Sequence, residues 1–337
     1  MNRGALSLLG AVAGLALAWS SPGVAGDTFF YIGYDVVQVV DGATDEIVAD
    51  IPAKGWLRDS AMSADGKFLY VSANRHVLHK IDLAARKLVK SIDVNGDGWE
   101  RLIYGFVLSA NGKTVYAHLL FRATRGGEVA IRPPAVAEVD LETGKVLRSV
   151  EVPWGSGNLI GIQDGKTLYA IGQDLVRLDV SGPELKVVEV RPLIDKGKNT
   201  LPFWPNADRN GGVAVAPYYT ATSMGALFID TKTGKVVDKP LKDFAMVYGL
   251  ALSPDGKKAY GNMDDLVVFD LGTGKLLKHA PIEEGTNFAI SISSDGKKVY
   301  SMAGGYTMTV FDAETLKSLK VLRMASDGMD MIRLTTR

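Results

Sequence analysis

Ser293-Ser294-Asp295-Gly296-Lys297, the strand that follows to Tyr300, and then Asp312-Ala313-Glu314-Thr315 form the stretch that decides the fold. Asp-Gly accepts the positive φ of a tight turn, and alternating Val, Ile and Tyr suit a pleated strand, so the stretch reads as two β-hairpins. The same reading recurs. Earlier copies are Ser63-Ala64-Asp65-Gly66-Lys67, Ser109-Ala110-Asn111-Gly112-Lys113, Gln163-Asp164-Gly165-Lys166 and Ser253-Pro254-Asp255-Gly256-Lys257, each followed by a strand ending in Tyr70, Tyr116, Tyr169 or Tyr260. The second turn recurs as Asp140 to Lys145, Asp230 to Lys235 and Asp270 to Lys275.

Four short strands at a period of 40 to 53 residues mark a β-propeller blade. The expected fold is all-β: seven four-stranded antiparallel blades over residues 27–337, about 44 residues each. The first blade, from Phe29 to Asp50, lacks its innermost strand, and Met331-Ile332-Arg333-Leu334-Thr335 is the expected replacement. Pairing of the N- and C-terminal strands would then leave no open edge. Long runs with helical periodicity are absent, which rejects a helical solenoid.

Residues 1–26 read as a secretory signal. Arg3 precedes an apolar run from Ala5 to Trp19, and Gly23-Val24-Ala25-Gly26 offers small residues for cleavage. The run is shorter than the roughly 20 residues that span a bilayer, so no membrane anchor is expected after removal of the signal. A periplasmic location follows as the expectation. The chain of 337 residues carries 38 basic and 38 acidic side chains and no cysteine. Loss of Arg3 leaves 37 against 38, a charge of −1, which gives no field for holding nucleic acid. Without cysteine there is no disulfide, no thiolate metal site and no covalently attached c-type haem.

In a propeller the D-G-K and T-G-K turns share one face, and the remaining loops share the other. Trp56, Trp99, Trp154 and Trp204 all fall in connections to that opposite face. So do the two largest departures from the repeat. The interval from Asn111 to Asp140 is 29 residues, about 12 more than in sister repeats, and the connection Arg191–Asn210 is also long. Long loops rich in Trp, Tyr and Arg point to a binding surface. The expected partner or substrate-cavity residues are Trp99, Arg101, Phe121, Arg122, Arg132, Trp154, Trp204, Tyr218 and Tyr219; packing alone is the competing reading for each aromatic. The repeated aspartates are expected to be structural. His76 and His79 lie three apart and would not chelate together, His279 lies on an outer strand, and His118 enters a working-face loop. No zinc-protease, α/β-hydrolase or P-loop motif is present.

Lys80-Ile81-Asp82-Leu83, the insertion after Tyr116, Tyr169–Leu175, Gly212–Ala221 and Val310–Leu316 resemble the β subunit of quinohemoprotein amine dehydrogenase. The resemblance runs through most of the mature chain and departs around Asn158–Asp164 and before Gly225. It implies a subunit of an exported complex that oxidatively deaminates primary amines. Cysteine tryptophylquinone would belong to a small γ subunit and the c-type haems to a dihaem cytochrome α subunit, with neither bound by this chain. No catalytic residue and no metal site are assigned to it. The heavy chain of a methylamine-type dehydrogenase, a free-standing binding propeller and a lactonase-like propeller enzyme are the competing readings.

Overall fold

The computed structural model describes residues 26–200, 207–208 and 212–336. The expected leader, residues 1–26, therefore lies outside the described residues, apart from Gly26, which is the first residue of a strand. Strands β1 (Gly26–Asp41), β2 (Glu46–Met62), β3 (Phe68–Ala73), β4 (Val77–Asp82) and β5 (Lys87–Asp93) open the chain. Next come β6 (Glu100–Leu108), β7 (Thr114–Arg125), β8 (Glu128–Asp140) and β9 (Val146–Glu151), then β10 (Leu159–Gly161), β11 (Thr167–Ile171), β12 (Asp174–Asp179) and β13 (Lys186–Pro192). A third group holds β14 (Asn199–Thr200), β15 (Ala207–Asp208), β16 (Val213–Tyr219), β17 (Met224–Asp230) and β18 (Val236–Pro240). The last groups are β19 (Gly249–Leu252), β20 (Lys258–Asn262), β21 (Asp265–Asp270) and β22 (Leu276–Pro281), then β23 (Asn287–Ile292), β24 (Lys298–Ala303), β25 (Thr307–Asp312) and β26 (Ser318–Arg323). The final strand is β27 (Gly328–Thr336).

The protein is an all-β propeller of four-stranded antiparallel blades. Hydrogen bonding joins the described strands into six sheets, and this corrects the expectation of seven separate ones. One sheet has six strands in the order β27-β1-β2-β3-β4-β5. The physical reason is continuity: β1 and β2 each run on from one ladder into the next. Residues 26–33 of β1 pair with β27, whereas Tyr34 to Asp41 pair with β2. The first part of β2, up to Trp56, pairs with β1, and Leu57 to Met62 pair with β3. The C-terminal strand thus supplies the partner that the N-terminal strand lacked, with Phe30 opposite Ile332 and Tyr31 opposite Met331.

Strand alternation sends one set of side chains to each side of a blade. Among the described residues these sets form seven apolar clusters, each shared between neighbouring groups of strands. One of them packs Phe29, Tyr31, Val40 and Met331 from the chain ends on Tyr300, Met302, Met308 and Val310 of β24 and β25. There Phe29 and Tyr300 stack with ring centres 3.8 Å apart. Polar contacts reinforce this seam. The Tyr300 hydroxyl donates to Asp45 Oδ1 at 2.6 Å, and Lys298 Nζ lies 2.6 Å from Asp45 Oδ2. Asp27 accepts from the Ser294 N–H at 2.6 Å and from the Thr335 hydroxyl at 2.7 Å.

The turns follow the residues that predicted them. Gly296 has φ of +73°, a conformation that a Cβ would disfavour. The Asp295 carboxylate accepts from the Ser293 hydroxyl at 2.6 Å and the Lys297 N–H at 3.0 Å. Among the described residues no helix is long and apolar enough to cross a membrane.

Candidate partner-binding face

The repeated aspartates are used up by their own turns. Asp312 Oδ1 accepts from the Thr315 N–H at 2.6 Å, the Thr315 hydroxyl at 2.8 Å and the Glu314 N–H at 3.1 Å. The Thr315 bonds hold its carboxyl below the usual range. Local hydrogen bonds lower Asp65, Asp140, Asp230, Asp255 and Asp270 in the same way. An exposed carboxylate stabilised as the anion is a poor general base at neutral pH. These aspartates therefore serve their turns.

The opposite face is built differently around Trp99. A short turn raises the indole: Asp97 and Gly98 have φ of +54° and +73°, and Gly96 bridges to Trp99. Arg101 locks this turn from beneath. Its guanidinium is buried, donates to the Val94 carbonyl at 2.8 Å and binds the Asp97 carboxylate, while its N–H donates to Asn95 Oδ1 at 2.8 Å. The long hairpin of β7 and β8 then folds over the indole. Its tip, Gly126-Gly127, has φ of +58° and +87°, the conformation of a two-residue hairpin turn that glycine admits without strain.

Register decides which side chains meet. Phe121 pairs with Arg132 and so shares a face with it. The Phe121 and Trp99 rings stand edge to face at 6.5 Å and 85°. The Arg132 guanidinium carbon lies 3.7 Å from the Phe121 ring centre and 5.2 Å from that of Trp99, and Arg125 lies 4.9 Å from Trp99. On the other side of the hairpin, Arg122 pairs with Ile131 and Thr124 with Val129. Arg122 Nε donates to Glu100 Oε2 at 2.7 Å. An open cleft of about 380 Å³ lies between Asn95, Trp99, Glu100, Arg122 and Thr124. Val129 and Ile131 are 64% and 66% exposed, which leaves apolar surface beside the cations.

Five of the expected residues are thus brought together: Trp99, Arg101, Phe121, Arg122 and Arg132. Arg101 is the fastener beneath, and Phe121 is buried as the floor of the group. Trp154 stands apart, 54% exposed on the turn after β9, and makes no ring or cation contact among the described residues. Trp204 lies outside the described residues.

Tyr218 and Tyr219 require a correction, because neither is delivered to the surface. Strand β16 carries both into the interior. The Tyr218 ring lies over Gly225, where a Cβ would come within 2.3 Å of it, and its hydroxyl donates to Asp238 Oδ1 at 2.8 Å. Burial, then the Asp238 carboxylate, raises its pKa. The Tyr219 hydroxyl donates to the Val247 carbonyl and accepts from the Val247 N–H at 2.7 Å, which ties β16 to the segment before β19. Burial pushes it up to about 12.

Two of the histidines are held by neighbouring groups and a third is shut into the interior. His79 is buried between Ser91 Oγ at 2.9 Å and the Lys54 carbonyl at 2.8 Å, and His76 Nδ1 lies 2.8 Å from the Asn74 carbonyl. His118, expected in a loop, lies within β7, fully buried and without a hydrogen-bond partner among the described residues. Burial pushes its pKa down to about 4. No group of three or more His, Asp or Glu residues suited to a metal occurs among the described residues.

A second group joins Trp56, one of the tryptophans expected on this face, to Arg58, Arg75 and Tyr104, which the sequence reading missed. These residues come from separate repeats and a short turn, so no local pattern announces them. The usable signal is repeat position, since Arg58 and Tyr104 each stand seven residues before the first residue of the Asp/Asn-Gly pair, Asp65 and Asn111.

No protein-family model matches the chain, and no curated protein matches it. Solved structures do. A chain of Kuenenia stuttgartiensis hydrazine synthase is 20% identical with a TM-score of 0.56, covering 87% of this chain and 90% of that one. A functionally unknown protein from Desulfotomaculum acetoxidans DSM 771 is 12% identical with a TM-score of 0.64, covering 92% and 99%. At these identities the likeness establishes the class, a β-propeller.

Proposed function

We propose that this chain is a non-catalytic β subunit of a periplasmic quinohemoprotein amine dehydrogenase, exported by its N-terminal segment. Its role is to dock a small quinone-bearing subunit and to line part of the cavity for a primary amine. The observation that carries this reading is the group of Trp99, Phe121, Arg125 and Arg132 with exposed Val129 and Ile131 beside it. Large rings and arginines around an apolar patch are the residue types that anchor interfaces. The resemblance of Gly212–Ala221 and of the β7–β8 insertion to that family supports the choice of complex, and occurrence of the fold in a hydrazine synthase chain is consistent with a place in an enzyme. Cysteine tryptophylquinone and c-type haem would reside in the partner γ and α subunits, and no residue here is assigned to hold them. The contribution of this chain would be positioning and exclusion of water.

We further infer that the six-stranded sheet comprises two blades, giving seven in a ring closed between β1 and β27. The seven apolar clusters and the divided pairing of β1 and β2 support that count.

The test is affinity purification from the periplasm of the native host grown on a primary amine, with mass spectrometry and a haem stain. Recovery of a small crosslinked quinone chain and a dihaem chain is the expected result. Recovery of the propeller alone while amine oxidation is active would overturn the reading and favour a free-standing binding propeller, the second reading that the same aromatic face supports.

A further inference from the structure

The β7–β8 arm outruns both of its neighbours. Pairing of β6 with β7 ends at Arg122, opposite Glu100, and pairing of β9 with β8 ends at Ala135, with one last bond from the Val152 N–H to the Pro134 carbonyl at 3.0 Å. Beyond these points β7 and β8 pair with each other alone. Among the described residues no strand covers the outer edge of β8 along Glu128-Val129-Ala130-Ile131-Arg132.

The turn at the tip decides which backbone groups that edge presents. Gly126 and Gly127 are its central residues, closed by the opposed pair Arg125 and Glu128, whose backbone groups bond across the turn. Opposed residues then alternate between bonded and non-bonded pairs. Ala130, opposite Ala123, and Arg132, opposite Phe121, therefore direct their N–H and C=O groups to β7, whereas Val129 and Ile131 turn theirs outward. An exposed row of such groups is a template for another strand. Pro133, which has no N–H, ends the template.

This edge is complementary to itself. Laid antiparallel on a second copy about Ala130, it sets Val129 against Ile131 twice, and because both face outward these are hydrogen-bonded pairs. The same register sets Glu128 against Arg132 at both ends. Arg122 is taken by Glu100, but neither Glu128 nor Arg132 has an ion pair among the described residues, and both are exposed. Centring the pairing on Val129 or Ile131 instead would put Gly127 or Pro133 opposite an apolar residue and part the charges. Backbone and charge thus select one register independently.

We propose that the outer edge of β8, residues 128–132, pairs antiparallel with the same edge of a second copy of this chain. Use of one edge by both copies closes the assembly as a two-fold dimer. Two Glu128–Arg132 pairs then lie on the face that carries Trp99, and Val129 and Ile131 of both copies join into one apolar patch on the other. Both faces of the arm stay open, so the proposal goes beyond the amine dehydrogenase reading and does not rest on it. A short edge makes a small interface, of the weak and reversible class.

Sedimentation equilibrium of the full chain across a concentration series tests it. The mass should rise reversibly from one chain to two. Glu128→Arg or Arg132→Glu alone sets like charges against each other at both ends and should weaken the dimer at least about tenfold. Mixing the two single variants restores unlike charges in every pair, so these chains should associate with each other about as well as parent copies do, and the double variant should again pair with itself. Rescue of each swap by its reciprocal is a result that damaged folding would not give. A parent chain that stays single throughout the series, a dimer indifferent to the swaps, or single variants that fail to associate on mixing overturns the proposal.

Discussion

The same strands end in two kinds of surface. At one end lie turns such as Asp295-Gly296-Lys297 and Asp312 to Thr315, whose carboxylates are satisfied within two or three residues. At the other lie the β7–β8 arm and the turn before β6, where Arg125 and Arg132 rest on Trp99 from a distant part of the chain. A self-satisfied turn can be copied from blade to blade without regard to its neighbours. A group assembled across strands is not copied from blade to blade, and here it leaves Arg125, Arg132, Val129 and Ile131 exposed around a half-buried indole. Repetition in this protein therefore marks structure, and departures from repetition mark the candidate binding surface.

The largest expected effect separates the two regions by pH. His118 has its pKa pushed down to about 4, whereas an unfolded histidine titrates near 6.5. As pH falls from about 6.5 to 4 the unfolded chain takes up a proton that the native chain refuses, so stability is lost by about 3 kcal/mol. Denaturant unfolding across that range should show the loss, and His118→Leu should flatten it. The turn aspartates respond later. Their lowered native pKa values mean that their contribution is complete above about pH 4 and drains as pH falls further. An acid transition confined below pH 4 in the parent chain would contradict the account of His118.

Tyr219→Phe comes next. It leaves the Val247 N–H and carbonyl without their partner and should cost about 2 kcal/mol, measured by denaturant midpoint, with no effect on partner recovery. Loss of partner recovery at unchanged stability would return Tyr219 to the binding surface. Arg125→Glu with Arg132→Glu should do the reverse. Co-purification of partner chains should fall at least about tenfold, while the thermal midpoint moves by less than about 2 °C, as for surface substitutions generally. Unchanged recovery would move docking to another part of this face. Asp295→Ala should have the smallest effect, about 1 kcal/mol from lost turn hydrogen bonds, with partner recovery retained.

Much of this contrast was legible in the residues. Asp-Gly at fixed offsets announced the turns, and the stretched interval between Asn111 and Asp140 announced the arm. Tyr218 and Tyr219 mislead because a strand end near a loop reads as surface, whereas Gly225 leaves room for one ring and the Val247 backbone captures the other hydroxyl. Those partners lie elsewhere in the chain, and no local pattern encodes them. The expected seven sheets became six because β1 and β2 continue through their changes of partner, a matter of hydrogen-bond continuity that spacing does not report.

The sequence alone determined the blade, because turn geometry and strand alternation arise from the conformational preferences of neighbouring residues. It also determined which strand the N-terminal segment needed. Tertiary structure decided the rest: that Arg132 lies on Phe121 and Trp99, that His118 is shut away from water, and that Arg58 and Arg75 meet at the Tyr104 ring. Such meetings depend on register and packing between distant segments, and these are properties of the folded chain.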